Sequence, residues 1–446
     1  MIPQTANGFV AVALAGWIPV VLAFFACLPA RRAAIVAVLV GWLVLPVATY
    51  PLHGFPDASK TSATCLGVLL GIVIFDPRRL MALRPRWVDV PMLVWCVCPV
   101  ASSLSNGLGT YDGLSGAFDH AVEWGVPYMV GRLYCADPEG LRELAIGVVL
   151  GALLYMPLCL VELVWGPAVH QWVYGYVPQP LSEAVRFGGW RPTIFLQHGL
   201  MLALWMAAAA LTAAWTWSTG ALPRLGSVRT GVWTAALVVT TLALKSVNGW
   251  VLLGLGAAVL WSIKRFQAWV PLCLVLILPS AYVAARATGC WTGDSLVTWV
   301  AATVGPDRAQ SVQFRVVNEQ RLVDRARQRW VVGWGGWGRA LAPAPGGKPL
   351  TPDSLWIIAF GNYGLVGLAS VGAALLVPVV VFWMRVPIWL WTLPRLAPAA
   401  VLALVVALYA IDNCFNAMVN PVYMLAAGGL AGVVVEIRGG LVASAG

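Results

Sequence analysis

Arginine is the chemistry-bearing residue most concentrated in this chain. Between 308 and 339 stand Arg308, Arg315, Arg321, Arg325, Arg327, Arg329 and Arg339, against only two acids, Glu319 and Asp324. A guanidinium is a rigid fork of donors that matches phosphate oxygens two at a time. Residues 311–330 read SVQFRVVNEQRLVDRARQRW, and Val312, Val316, Val323, Ala326 and Trp330 recur at helical spacing. Arg321, Arg325 and Arg329 follow at i,i+4 on another face, where like charges repel by a few tenths of a kcal/mol per pair. An anion shared between them relieves that cost. Two readings suit the segment: a basic amphipathic helix on anionic lipid head groups, or a specific phosphate or diphosphate site. They coincide if the bound anion is itself a membrane lipid phosphate.

Other polar residues gather nearby in sequence. Gly333–Trp334–Gly335–Gly336–Trp337–Gly338–Arg339 is too glycine-rich for a helix. It suits a tight turn whose N–H groups approach a ligand, or a plain re-entry turn with Trp at the interface. Asp353 precedes an apolar run, as an N-cap does, or serves as a carboxylate within reach of a sugar hydroxyl. A second basic segment runs Arg186–Phe187–Gly188–Gly189–Trp190–Arg191–Pro192 and leads to Gln197 and His198, one or two turns inside an apolar run. Polar groups at that depth are functional candidates or interhelical hydrogen-bond partners. Asp119, His120 and Glu123 make a third cluster, suited equally to helix packing. Asp412, Asn413, Asn416 and Asn420 read as turn polarity. There is no D-x-D, H-E-x-x-H, Walker loop or G-x-S-x-G, so no metal and no cofactor is expected.

The elements that must position these groups follow from composition. Of 446 residues, 60% are hydrophobic and 10% charged, where a soluble domain carries roughly 25% charged. Mean hydropathy is +0.81. An ordinary soluble enzyme, a disordered chain and a nucleic-acid binder are excluded, so the net charge of +10 is not an affinity for nucleic acid. The cysteines mostly lie in apolar runs and read as small buried hydrophobes; Cys290 falls in the long loop. The expected fold is all-α, a polytopic transmembrane helix bundle in one integral membrane domain, 1–446. Apolar runs fall near 8–29, 33–50, 62–75, 88–105, 115–134, 142–165, 193–216, 229–244, 249–262, 269–286, 354–382, 398–413 and 420–436, about 12–13 spans. Arg31–Arg32, Arg78–Arg79, Arg84, Arg86, Arg132, Arg142, Arg224, Arg229, Lys264–Arg265, Arg385, Arg395 and Arg438 then share one side. Lys60 and Lys245 are the basic residues of the short loops opposite. The positive-inside rule puts the first set in the cytoplasm, the N-terminus outside and the C-terminus inside. The arginine-rich segment 287–353, whose last basic residue is Lys348, becomes a long external loop.

These segments resemble the O-antigen polymerase/O-antigen ligase superfamily of bacterial membrane glycosyltransferases. The motifs are Arg186-x-x-Gly189-x-Arg191-Pro192 with His198-Gly199, Arg315 with Glu319, Leu322 and Gly333-Trp334-Gly335-Gly336, and Asp353-Ser354-x-Trp356 with Gly361-x-x-Gly364-x-x-Gly367. Arg325-x10-Gly336 and Arg327-x10-Gly338 fit the Arg-x10-Gly pattern of O-antigen polymerases. The resemblance covers roughly 180–370. It implies a bacterial inner-membrane enzyme whose periplasmic loop covers the active site, using undecaprenyl-diphosphate-linked oligosaccharide without metal or nucleotide. Ligases move the glycan to lipid A-core; polymerases move it to the next lipid-linked repeat unit. Asp353–Ser354 stands where ligases carry a His-Asn type pair, and Lys245–Ser246–Val247–Asn248–Gly249 where Ser-Arg-Gly is common. Both departures favour an O-antigen or exopolysaccharide polymerase.

The expected chemistry is attack of an acceptor-glycan hydroxyl on the anomeric carbon of the donor, with inversion. Arg191 and Arg315 would be catalytic, with His198 or Asp353 orienting or deprotonating the hydroxyl. Arg186, Arg321, Arg325, Arg327 and Arg339 would hold the diphosphate. Partners would be the lipid-linked oligosaccharide, the acceptor glycan, the bilayer and a chain-length regulator protein. The rival class is a lipid-linked sugar transporter or flippase, which calls for ionisable groups at the bilayer midplane and internal repeats; the third is a regulatory or assembly subunit.

Overall fold

The computed structural model describes residues 6–50, 57–303, 305–343 and 349–437. Lys348, Arg438 and the side chain of Arg308 lie outside what is described. Most of every expected apolar run falls on helix, though 45–50 and 193–198 lie outside it. The run near 115–134 is Thr110–His120, a π turn over Ala121–Gly125, and Val126–Tyr134. Seven helices are long and apolar enough to cross a membrane: Phe9–Cys27, Trp87–Ser105, Pro138–Trp165, Gly199–Ser218, Val247–Phe266, Val270–Thr288 and Leu355–Arg385. Lys60–Phe75, Thr230–Ala243, Ala397–Asp412 and Pro421–Val434 are shorter apolar helices. Among the described residues, strands occur only as two-residue pairs, so the chain is all-α.

Burial sorts these helices. Gly199–Ser218 and Ala397–Asp412 are apolar all round and buried almost all round, so they form the centre. Phe9–Cys27 and Val270–Thr288 leave Val12, Val20, Leu274 and Ile277 exposed, an apolar face that lipid tails would cover. Small residues allow the closest crossing. A Cβ on Gly131 would fall 2.1 Å from the Leu425 carbonyl, and one on Gly428 2.0 Å from the Tyr128 carbonyl, so the two backbones touch directly.

Polar contacts divide the helix ends into two sets. At one end Arg31 pairs with Asp137, Arg132 with Asp89 (2.9 Å), and Lys264 with the Ser218 carbonyl (2.6 Å). At the other, Asn7 meets the Val173 carbonyl (2.9 Å), Lys60 the Phe195 carbonyl (3.1 Å), Asn106 the Gly333 carbonyl (2.9 Å) and Asn248 the Asp412 carboxylate (2.6 Å). Alternating spans require these same two sets. Segment 166–198 and the arginine helix Pro306–Arg327 therefore share an end.

Candidate functional site

Segment 166–198 is anchored from below. Glu162, near the end of Pro138–Trp165, is 0% exposed. Its Oε1 accepts the Val169 N–H (2.9 Å), and its Oε2 accepts those of Thr193 (2.8 Å) and Ile194 (2.9 Å). Ile194 has φ +54°, a left-handed conformation that costs a β-branched residue about 1–3 kcal/mol. On the carbonyl side of the same turn, Lys60 Nζ donates to Phe195 (3.1 Å) and Trp42 (3.0 Å). Sequence reasoning passed over Glu162 as part of an apolar run and counted Lys60 only as loop charge. A carboxylate and an ammonium inside apolar helices were the signal that could have found them.

This turn places Arg191 and His198 together. Arg191 is 4% exposed; its Nη2 donates to the Glu183 carbonyl (2.7 Å) and lies 3.2 Å from His198 Nε2. His198 is the N-cap of Gly199–Ser218, its Nδ1 accepting the Leu200 N–H at 3.1 Å. It therefore sits at the helix mouth, not one or two turns inside. That bond assigns the ring proton to Nε2, which faces the Glu183 carboxylate at 3.5 Å. Burial, then the charges of Arg191, Arg186 and Arg315, hold the imidazole pKa down to about 4. Burial and the charges of Arg186 and Arg315 bring Arg191 down to about 10. The charges of Arg186, on the hairpin Val185–Arg186/Gly189–Trp190, and of Arg315, on the arginine helix, thus bear on both Arg191 and His198. The Lys245 ammonium lies against Gly189 of that hairpin, adding a fourth cation.

Arg315 also lines a cavity of about 150 Å³ with Tyr282, Glu319, Asp353 and Ser354. Asp353 is exposed and does not cap the following helix. Ser354 takes the N-cap position, and the Leu355 N–H goes to the carbonyls of Asn413 and Asn416 (both 3.2 Å). Behind the cavity, Arg286 is 1% exposed and its Nε donates to Glu319 (2.6 Å), while its remaining N–H groups reach the carbonyls of Trp291, Thr292 and Val316. Burial raises the Glu319 pKa against the pull of Arg286 and the Tyr282 hydroxyl. This buried pair locks the arginine helix to Val270–Thr288.

The other arginines of the loop do different work. Arg325 stands about 15 Å along the helix axis from Arg315, at 1.5 Å per residue. It lies 3.6 Å from the Trp334 ring centre, and Arg329 lies 5.1 Å from it, so an aromatic face takes up the repulsion for which a shared anion was expected. Arg327 donates to the carbonyls of Ala287 (2.9 Å) and Arg286 (3.4 Å), closing the end of Val270–Thr288. Arg339 reaches the Asn106 carbonyl (3.4 Å), and Arg321 is exposed. Of the residues expected to hold the diphosphate, Arg186 is the one whose charge bears on both Arg191 and His198.

The glycine-rich segment turns its N–H groups inward. Trp334 and Gly335 donate to the carbonyls of Gly361 and Asn362 (both 2.9 Å), and Leu365 and Val366 donate back to Trp330 (2.6 Å) and Val331 (3.2 Å). The helix Leu355–Arg385 is broken at Gly364 (φ 63°, ψ −156°), and this segment satisfies the groups the break exposes. The residues read as turn polarity are buried instead. Asp412, 1% exposed, accepts from Asn248 (2.6 Å) and Asn416 (2.7 Å), tying Val247–Phe266 to Ala397–Asp412. His120 stacks on Trp95 (4.3 Å between ring centres) in a packing role. Among the described residues, no group of three His, Cys, Asp or Glu side chains converges as metal ligands would. No protein-family model matches the chain, and no curated protein matches it.

Proposed function

We propose that this chain is a membrane glycosyltransferase of the bacterial inner membrane that polymerises lipid-linked repeat units, acting as an O-antigen or exopolysaccharide polymerase. One observation carries the reading: Arg191 lies 3.2 Å from a neutral His198, the charges of Arg186 and Arg315 bear on both, and Arg315 lines a cavity that also holds Asp353. The Glu183 carboxylate offsets part of this positive charge, and an anion of two or more charges would balance the rest. An undecaprenyl diphosphate would supply that anion, and the long apolar helices support a bilayer setting for it. The arginine-rich end faces the periplasm, and the Arg31–Asp137 end faces the cytoplasm.

In this scheme the acceptor hydroxyl attacks the anomeric carbon, and the bond from that carbon to the diphosphate oxygen breaks. The diphosphate leaves with the electron pair, and the three guanidiniums stabilise its growing charge. Asp353 takes the hydroxyl proton. His198 Nδ1 is spent as an acceptor on the Leu200 N–H, so its role is to cap the helix beside Arg191 and to point Nε2–H toward the Glu183 carboxylate. The test is the purified full chain in proteoliposomes with a polyprenyl-diphosphate oligosaccharide. Lengthened, newly linked glycan is expected. Movement of the donor across the bilayer with no new glycosidic bond would overturn the enzyme in favour of a transporter.

A further inference from the structure

We infer that Glu162 is a positioning residue for the anion site: its carboxylate holds the left-handed turn at Thr193–Ile194 that fixes Arg191 against His198. The inference rests on the diphosphate reading above and adds a residue that touches neither substrate nor the reacting atoms.

Among the described residues Glu162 has no cationic partner within ion-pair distance. Its carboxylate accepts instead from three backbone N–H groups of the segment that carries the site. Burying a carboxylate is costly unless hydrogen bonds replace its water, and charge-assisted bonds to N–H are the strong kind. For packing alone, an apolar side chain would serve better at position 162. The three bonds act where the chain must be strained. Thr193 and Ile194 lie between Arg191 and His198, and Ile194 is left-handed (φ +54°). With an ordinary negative φ at Ile194 the chain would leave this turn on another course, and the 3.2 Å approach of Arg191 to His198 would be lost. Lys60 grips the neighbouring Phe195 carbonyl from a second helix, so both polar edges of the turn are held by ionisable side chains.

The test uses the detergent-solubilised full chain, with inorganic pyrophosphate as the probe. Binding is measured by calorimetry and folding by thermal melting. Glu162→Gln keeps the shape but turns one acceptor into a donor facing N–H groups. Its Kd for pyrophosphate is expected to rise at least tenfold in protein that still melts cooperatively, and the KM for lipid-linked donor to rise more than kcat falls. Ile194→Gly added to Glu162→Gln lets the turn form without strain, and should recover a good part of the affinity. Should Glu162→Gln fail to fold, Lys60→Met tests the other grip, with the same rise in Kd expected. Wild-type pyrophosphate affinity in the folded Glu162→Gln or Lys60→Met protein would overturn the proposal, as would a wild-type chain that binds no pyrophosphate. Pyrophosphate binding that depends on Glu162, without glycosyl transfer by the wild type, would retire the glycosyltransferase reading and leave the positioning role standing.

Discussion

Gly364→Ala attacks the break on which the arginine loop is docked. At φ 63° and ψ −156° the backbone occupies a region essentially reserved to glycine, and an alanine there costs about 1–3 kcal/mol. The added Cβ would also lie 2.4 Å from the carbonyl carbon and oxygen of Val331 and 2.6 Å from the Val332 nitrogen. These are backbone atoms, so no rotamer change relieves the overlap, and segment 330–335 must move. Losing two of the four backbone bonds that join it to 361–366 costs about 0.5–1.5 kcal/mol each. The total is about 2–6 kcal/mol. In micelles, tryptophan fluorescence should report a Tm lower by several degrees. Hydrogen exchange should quicken together in peptides covering 330–336 and 361–366, while 193–198 stays as it was. An unchanged Tm with unchanged exchange at 361–366 would refute the reasoning, because the strain and overlap would then have no consequence.

Three further outcomes follow from the same geometry. Arg286→Met leaves Glu319 buried without its partner and should cost about 3–5 kcal/mol in thermal or denaturant unfolding, much of it regained when Glu319→Gln is added. His198 has a folded pKa lowered from 6.5 to about 4, so between those values the unfolded chain binds more protons than the folded one. Its contribution is fully present above pH 6.5 and lost as pH falls toward 4, with a limiting slope of roughly 1.4 kcal/mol for each pH unit crossed; His198→Gln should flatten that part of the stability profile. Trp334→Leu removes the ring beside Arg325 and Arg329 and should cost about 1–2 kcal/mol of stability, with glycosyl transfer per folded molecule falling by less than tenfold.

The helices were legible because apolar runs in this chain are long and are interrupted by glycine, proline and charge. The two-ended pattern was legible from arginine placement, since charge at helix ends is set by the membrane and not by packing. Arg186, Arg191, His198 and Arg315 could be named from residue type, but their approach could not. It depends on the left-handed Ile194 and on Glu162, 31 and 32 residues before the N–H groups of Thr193 and Ile194 that it holds. Helical spacing put Arg321, Arg325 and Arg329 on one helix face, but the helix ends at Arg327, so Arg329 lies past it, and the spacing said nothing of Trp334, whose ring Arg325 and Arg329 share. The glycines at 333–338 read as a ligand turn because their partner, the break at Gly364, is itself invisible in an apolar run. Asp412 and its asparagines looked like turn residues. Position between two spans does not reveal that the turn is buried against Val247–Phe266.

The most direct measurement compares initial rates of glycosyl transfer from a polyprenyl-diphosphate oligosaccharide by three variants in matched proteoliposomes: Arg191→Ala, Arg315→Ala and Arg325→Ala. The first two are expected to fall by about 10²–10³, and Arg325→Ala, which strips a guanidinium from Trp334, to stay within tenfold of the wild type. Near-normal rates for Arg191→Ala and Arg315→Ala, with collapse confined to Arg325→Ala, would contradict the placement of the diphosphate beside His198.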